Sequence, residues 1–181
     1  MKTRLTLIAA ALLMQPALVA AELPKGASAP AFATQGAAGG KVMAFNLRSA
    51  LRKGPVVLYF YPKSFTQGCT LEANAFAEAM PEFKAAGATV IGLSADTLET
   101  QVKFSKEACR DKFPVGIATP AIIQAYKVDL KKPDGASTGL TSRTSYVIGR
   151  DGKVKMVHTD MDYRHHVHMT LAAVKALKGG R

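Results

Sequence analysis

Tryptophan is absent from this chain of 181 residues, cysteine occurs twice, and acidic residues are few. Without Trp the core must come from Leu, Ile, Val, Phe and Ala, and an apolar share of 48% suffices for one. The two cysteines, Cys69 and Cys109, stand far apart. The positions three residues before and after Cys69 hold Thr66 and Glu72, so the closely spaced dithiol of a thiol–disulfide exchanger is missing. A copper-handling envelope protein would also want neighbouring cysteines together with a distant His, and the nearby second cysteine is lacking. Asp and Glu number 13 against 24 Lys and Arg, a formal charge of +11. The basic residues are dispersed, without interleaved aromatics or a nucleic-acid motif. They read as a solvated surface, with no nucleic-acid partner and only a weak attraction to an anionic envelope surface. The N-terminal apolar run, Leu5 to Met14, is too short to span a bilayer comfortably, so stable membrane insertion is not expected.

Lys2 and Arg4 precede that run, and Val19-Ala20-Ala21 offers small residues to a signal peptidase. This predicts a cleavable signal peptide over residues 1–21 and a mature chain from Glu22. The expected address is periplasmic or secreted, where disulfides are permitted. Residues 22–181 then form one ordinary domain.

Along that domain, residues 22–40 are rich in Ala, Gly and Pro and read as a loose lead-in. Lys41 to Leu47 suggests a short strand and Asn46 to Lys53 a turn or short helix. Gly54-Pro55 punctuates the chain before a buried strand beginning at Val56-Val57-Leu58-Tyr59-Phe60. Leu71 to Ala86 reads as a helix with Leu71, Phe76, Met80 and Phe83 on its apolar side. Pro81 predicts a kink or break near Met80, and Gly87 a C-terminal cap. Ala88 to Ser94 is a second strand. Asp96 or Thr97 caps a helix from Leu98 to Asp111. Phe113 to Ala118 is a third strand, and Thr119 to Tyr126 a short helix with Pro120 in its first turn. Lys131 to Thr141 reads as an exposed loop. Thr144 to Ile148 and Lys153 to Val157 form a hairpin across Arg150-Asp151-Gly152, in which Asp-Gly is a two-residue turn signal. His165 to Leu177 forms the last helix. The order predicts an α/β fold with a central sheet covered by helices on both faces.

Cys69 falls where the first buried strand gives way to a helix. A cysteine there meets free backbone N–H groups and the positive end of the helix dipole, which favour the thiolate over the thiol. The thiolate is the reactive form, so the placement describes a nucleophile. Pro62 ends the strand, Gly68 allows close backbone approach, and Thr66 offers a hydroxyl one turn before the sulfur. The N–H groups of Gly68 and Cys69 can hold a compact polar substrate.

The chain resembles the peroxiredoxins, most closely the Q-type (bacterioferritin comigratory protein) group. The resemblance is carried by Phe60-Tyr61-Pro62-Lys63, Thr66, Gly68-Cys69-Thr70 and Glu72-Ala73. It continues through Gly92-Leu93-Ser94, Phe113-Pro114, Arg143 and Asp151-Gly152-Lys153, and so covers nearly all of the mature chain. It implies a thioredoxin-like fold with a mixed sheet and a thiol-dependent peroxidase of hydrogen peroxide and organic hydroperoxides. Cys69 matches the attacking residue and would pass through sulfenic acid. Thr66 matches the residue whose hydroxyl bonds peroxide and sulfur. Arg143 matches the arginine that favours the thiolate and the developing charge. Pro62 matches the residue that shields the site, and Glu72 the carboxylate that orients the arginine. A thiol reductant is implied, either a thioredoxin-like or glutaredoxin-like protein or a small thiol. No metal, flavin or haem is implied. Q-type relatives are often monomers, which favours a monomer here.

The chain departs from many Q-type members in having Asn74 where they carry a resolving cysteine. Cys109 is the other candidate. Near the far end of its predicted helix it would lie about 15–18 Å along the axis from the Cys69 edge. A disulfide needs Cα atoms within about 7 Å, so direct bonding requires local unfolding. Cys109 resolves after unfolding, an external thiol resolves, or Cys109 is a small core residue. His165, His166 and His168, with Asp160 and Asp162 nearby, suggest a metal less than they suggest a solvated or capping helix start.

Overall fold

The computed structural model describes residues 22–179, and the predicted leader lies outside them. In chain order the elements are β1 (Ala33–Ala38), β2 (Lys41–Asn46), α1 (Leu47–Lys53), β3 (Val56–Phe60), α2 (Gln67–Ala85), β4 (Thr89–Ser94) and α3 (Leu98–Glu107). Then follow β5 (Val115–Ile117), α4 (Pro120–Tyr126), β6 (Asp129–Lys131), β7 (Ser137–Thr141), β8 (Thr144–Ile148), β9 (Val154–Thr159), a 3-10 turn (Tyr163–His165) and α5 (His166–Gly179). Seven strands make one sheet in the order β2-β1-β5-β4-β3-β8-β9, while β6 and β7 pair separately. β3, β4 and β5 run parallel and the outer pairings are antiparallel, giving the mixed sheet expected.

Strand alternation sends successive side chains of β3 to opposite faces. Val57 and Tyr59, with Tyr61 beyond the strand, join a core with Phe76, Met80 and Phe83 of α2, Phe104 of α3 and Val174 of α5. Val56, Leu58 and Phe60 join a second core with Leu47, Ala50 and Leu51 of α1 and Ile122, Ile123 and Tyr126 of α4. Helices therefore cover both faces. β3 is buried along its whole length, as a central strand between β4 and β8 must be.

Several expectations change. The lead-in is not loose: Ala33–Ala38 is β1, in register with all of β2 and paired to β5. Its small residues permit this, because a Cβ at Gly36 would sit 2.1 Å from the Val115 carbonyl oxygen. The expected exposed loop at 131–141 is instead the β6–β7 hairpin. α2 starts at Gln67, earlier than expected, and continues through Pro81 without a break. Leu71, expected on its apolar side, is exposed. α3 stops at Glu107 rather than Asp111, because Arg110 and Asp111 take left-handed backbone angles. The β8–β9 connection runs from Gly149 to Lys153, longer than two residues, with Gly152 at positive φ. Part of the basic surface serves helix ends: Lys178 Nζ donates to the Ala85 carbonyl closing α2, and Arg150 Nη2 to the Arg52 carbonyl closing α1.

Candidate active site

β3 delivers the chain to Tyr61, and side chains from β4, α3 and β7 then fix its path. Thr141 Oγ1 donates to the Tyr61 carbonyl at 2.6 Å, and the Tyr61 hydroxyl donates to Gln101 Oε1 at 2.8 Å. Gln101 Nε2 donates to Ser94 Oγ, which donates to Asp96 Oδ2, which accepts from the Ser64 backbone N–H, each at 2.7 Å. Asp96 is thus used on the loop, and Thr97 caps α3 through the Thr100 N–H. Phe65 follows with φ of 64° and sets its ring edge-on to Phe104, 5.2 Å between centroids. Pro62 is half-buried just beyond the strand.

Thr66 is the residue from which α2 starts, and its carbonyl accepts the Thr70 N–H at 2.9 Å. The N–H groups of Gln67, Gly68 and Cys69 therefore have no acceptor within the helix. Cys69 is in this first turn, 2% exposed. Arg143, between β7 and β8 and buried, reaches across to it. Its Nη2 lies 3.4 Å from Sγ, its Nε donates to the Met161 carbonyl at 3.0 Å, and its Nη1 donates to Glu72 Oε2. The guanidinium is thus fixed at three corners. Gly68 makes room for it, since a Cβ there would stand 3.3 Å from Nη2.

Glu72, one turn past the cysteine, is fully buried. Burial pushes its carboxyl up to about 8 against the pull of Arg143. For Arg143, burial works against the charge, but Glu72 and the sulfur outweigh it and raise its pKa, so the cation is secure. Positive charge and unpaired N–H groups converge on one buried sulfur. That arrangement suits an attack in which negative charge develops on a bound oxygen.

Cys69, Gly68, Glu72 and Arg143 lie together, Glu72 and Arg143 having been marked out by the resemblance alone. Thr66 stands one turn before the sulfur, but its hydroxyl is exposed and donates to the Lys63 carbonyl at 2.9 Å instead of bonding Sγ. Cys109 is not part of the site. It lies past the end of α3, fully buried among Phe104, Phe113 and other members of the first core, and both cysteines are free. Burial drives its thiol pKa well above the ordinary value, with Asp111 adding to the rise. The histidines divide. His165 and His168 are exposed, whereas His166 is fully buried against Ser145. Sequence reading missed this, although His166, Thr170 and Val174 recur at the four-residue spacing of one buried helix face. Tyr61, Gln101 and Ser145 were also missed, because each acts through partners distant in sequence.

Residues 25–157 match the family model for the AhpC/TSA family. The chain is 31% identical over 159 residues to the chloroplastic peroxiredoxin Q of Sedum lineare, covering 87% of this chain and 81% of that one. Among solved structures, the peroxidoxin BcpB of Mycobacterium tuberculosis superposes with a TM-score of 0.74 at 30% identity, covering 84% of this chain and 97% of that one. The bacterioferritin comigratory protein of Xanthomonas campestris, solved in trapped intermediate/ligand complexes bearing on alkyl peroxide reduction, gives 0.70 at 29% identity, covering 80% and 91%. The thioredoxin-like architecture expected from the sequence is the one these neighbours share.

Proposed function

The chain belongs to the AhpC/TSA family and is a thiol-dependent peroxidase, and we propose that Cys69 is its nucleophile, with Arg143 and the first turn of α2 as the oxygen-binding site. The observation that carries this assignment is Arg143 Nη2 at 3.4 Å from Cys69 Sγ at a helix N-terminus. The Cys69 thiolate attacks the terminal oxygen of a hydroperoxide. An S–O bond forms, the O–O bond breaks, and the sulfur is oxidised by two electrons to sulfenic acid. The departing alkoxide or hydroxide takes a proton and leaves as alcohol or water. Arg143 and the N–H groups of Gly68 and Cys69 stabilise the charge on those oxygens. Thr66, at the mouth, turns its hydroxyl from the Lys63 carbonyl to the bound peroxide. Pro62 limits the approach of water, and Glu72 holds the guanidinium.

A thiol then attacks the sulfenic sulfur, expelling water and forming a disulfide, and a second thiol restores Cys69. We assign the first of these to an external thiol, supported by the complete burial of Cys109 and by its aromatic surroundings. Non-reducing mass measurement after one equivalent of peroxide tests this. Sulfenic acid or a mixed disulfide is expected, and a Cys69–Cys109 disulfide would reverse the assignment.

The charged N-terminal segment, its short apolar run and the small residues at 19–21 support action in the periplasm or outside the cell after cleavage before Glu22. N-terminal sequencing of the protein from fractionated cells tests that reading. No helix among the described residues is long and apolar enough to cross a membrane. We take the working unit to be a monomer, which light scattering of the purified mature chain checks. Stopped-flow oxidation of that chain by hydrogen peroxide and by organic hydroperoxides tests the assignment as a whole.

A further inference from the structure

Beyond Arg143 and Glu72 lies a buried ring that has no role in the reaction as described, His166 of α5. Glu72 uses Oε2 for Arg143, while its Oε1 is buried and accepts no hydrogen bond among the described residues. Beside it is His166 of α5, whose Nδ1 lies 3.8 Å from Oε1. His166 is fully buried. Its Nε2 stands 2.9 Å from the Asp160 carbonyl oxygen, which can only accept, so Nε2 carries a proton. In the neutral ring Nδ1 is then an acceptor, and Ser145 Oγ at 2.8 Å supplies the donor. With that lone pair taken by Ser145, an ionised Glu72 would bury the charge of Oε1 3.8 Å from a ring nitrogen that has no proton to offer it. A buried acceptor without a donor is costly, and a buried charge more so.

One additional proton removes the conflict. Placed on Oε1, it removes the buried charge, and the carboxyl stays an acceptor for Arg143 through Oε2. Placed on Nδ1, it faces Oε1 and Ser145. We propose that His166 is a positioning residue of the peroxidase site, holding one proton jointly with Glu72 so that the carboxyl stays locked and Arg143 keeps its charge for Cys69. This rests on the assignment of Cys69 and Arg143 above.

Every neighbour of the pair bears on where the proton sits. Glu72 is faced by Arg143 and Cys69, and by the Tyr59 hydroxyl of β3 at longer range. His166 is faced by Ser145 of β8, by the Asp160 carbonyl, by Arg143, and by the His158 ring of β9 at 4.6 Å. Burial, followed by His158 and Arg143, lowers His166 to about 4 even against the Asp160 carbonyl, while Glu72 is raised to about 8. Both shifts favour the proton on Glu72 over His166, and two buried groups this close titrate as a unit. Above about 8 the proton departs, and the ionised carboxylate draws on the guanidinium that serves the sulfur.

The test is the pH profile of the second-order peroxide reaction from pH 5 to 10 in the wild type, H166L and H166Q, together with imidazole ¹⁵N shifts of the wild type and E72Q. In the wild type the rate per Cys69 thiolate should fall as pH passes about 8. In H166L that step should move or vanish, and the rate at pH 7 should drop about tenfold, which is about 1.4 kcal/mol. H166Q, whose amide can donate to Oε1, should recover most of that loss. The His166 nitrogens should show the Nε2–H tautomer, with an Nδ1 shift that moves as Glu72 titrates and stays still in E72Q. A folded H166L with the wild-type profile overturns the proposal. If H166L does not fold, His166 shifts that are the same in wild type and E72Q overturn it. The nitrogen shifts do not depend on peroxide turnover, so failure here is distinct from failure of the nucleophile assignment, which inactivation of C69S decides.

Discussion

Cys69 and Cys109 belong to the same core cluster and are both almost wholly buried, yet their surroundings are opposites. Cys69 opens a helix, with a fixed guanidinium at 3.4 Å and a carboxyl and imidazole behind it. Cys109 closes one, among Phe104 and Phe113, and its proton is held more tightly than in water. A buried thiol is by default a small hydrophobe. What separates the two is the direction of the local dipoles and a single cation, not the degree of exposure.

The strongest way to break this comparison is to exchange the sulfurs. C69S should consume no peroxide, whereas C109S should keep its first-turnover rate within about twofold and differ only in turnover with a given reductant. Stopped-flow oxidation measures both. Removing only the cation comes next. R143Q should slow peroxide reduction by about 100-fold to 1,000-fold, the usual loss when a preorganised donor to a developing oxyanion is deleted. R143K should remain well below the wild type, because Lys cannot hold Met161, Glu72 and Sγ at once.

Alkylation of the native protein followed by peptide mass mapping should label Cys69 and leave Cys109 unlabelled until denaturant is added. Labelling of Cys109 at a similar native rate would erase the distinction. In stability the order reverses. C109A opens a small gap between aromatic rings and should cost about 1 kcal/mol, read from denaturant unfolding.

The remaining effects lie in pH. Glu72 is raised to about 8 from 4.5, so the folded state holds a proton that the unfolded chain has lost, and its contribution declines as pH rises across that window. His166, lowered to about 4 from 6.5, works in the opposite direction between those values. The net fall in melting temperature should therefore appear between about 6.5 and 8 and flatten in E72Q. Cys109, raised from 9.0, should add a separate loss above pH 9 that C109A lacks.

The Cys69 half of the comparison was legible because local order encodes it. Cys69, Gly68 and Glu72 lie within one helical turn and a half, and a strand followed by Pro62 announces the junction. Arg143 was reachable only through resemblance, since nothing local marks an arginine between two strands as the partner of a distant sulfur. Strand β1, second from the edge of the sheet, was hidden by its own suitability. Ala and Gly show no hydrophobic alternation, yet only a residue without Cβ passes the Val115 carbonyl at Gly36. Pro81 misled because its missing hydrogen bond costs one link, and Phe76, Met80 and Phe83 on the same helix are buried and hold it together. His166 sat in a run of histidines, where composition suggests solvent, and only its register with Thr170 and Val174 gives the inward face away.

The loop bearing Tyr61 and Ser64 is latched to Ser94, Asp96 and Gln101, and Gln101 belongs to the helix just past whose far end Cys109 lies. A Cys69–Cys109 disulfide would draw Cys109 out of the first core and strain that helix together with the latch. A disulfide form would be disarmed until reduced, and reduction would re-cock the trap as well as free the thiol. Faster proteolytic nicking between residues 98 and 112 in the oxidised protein would register that slackening.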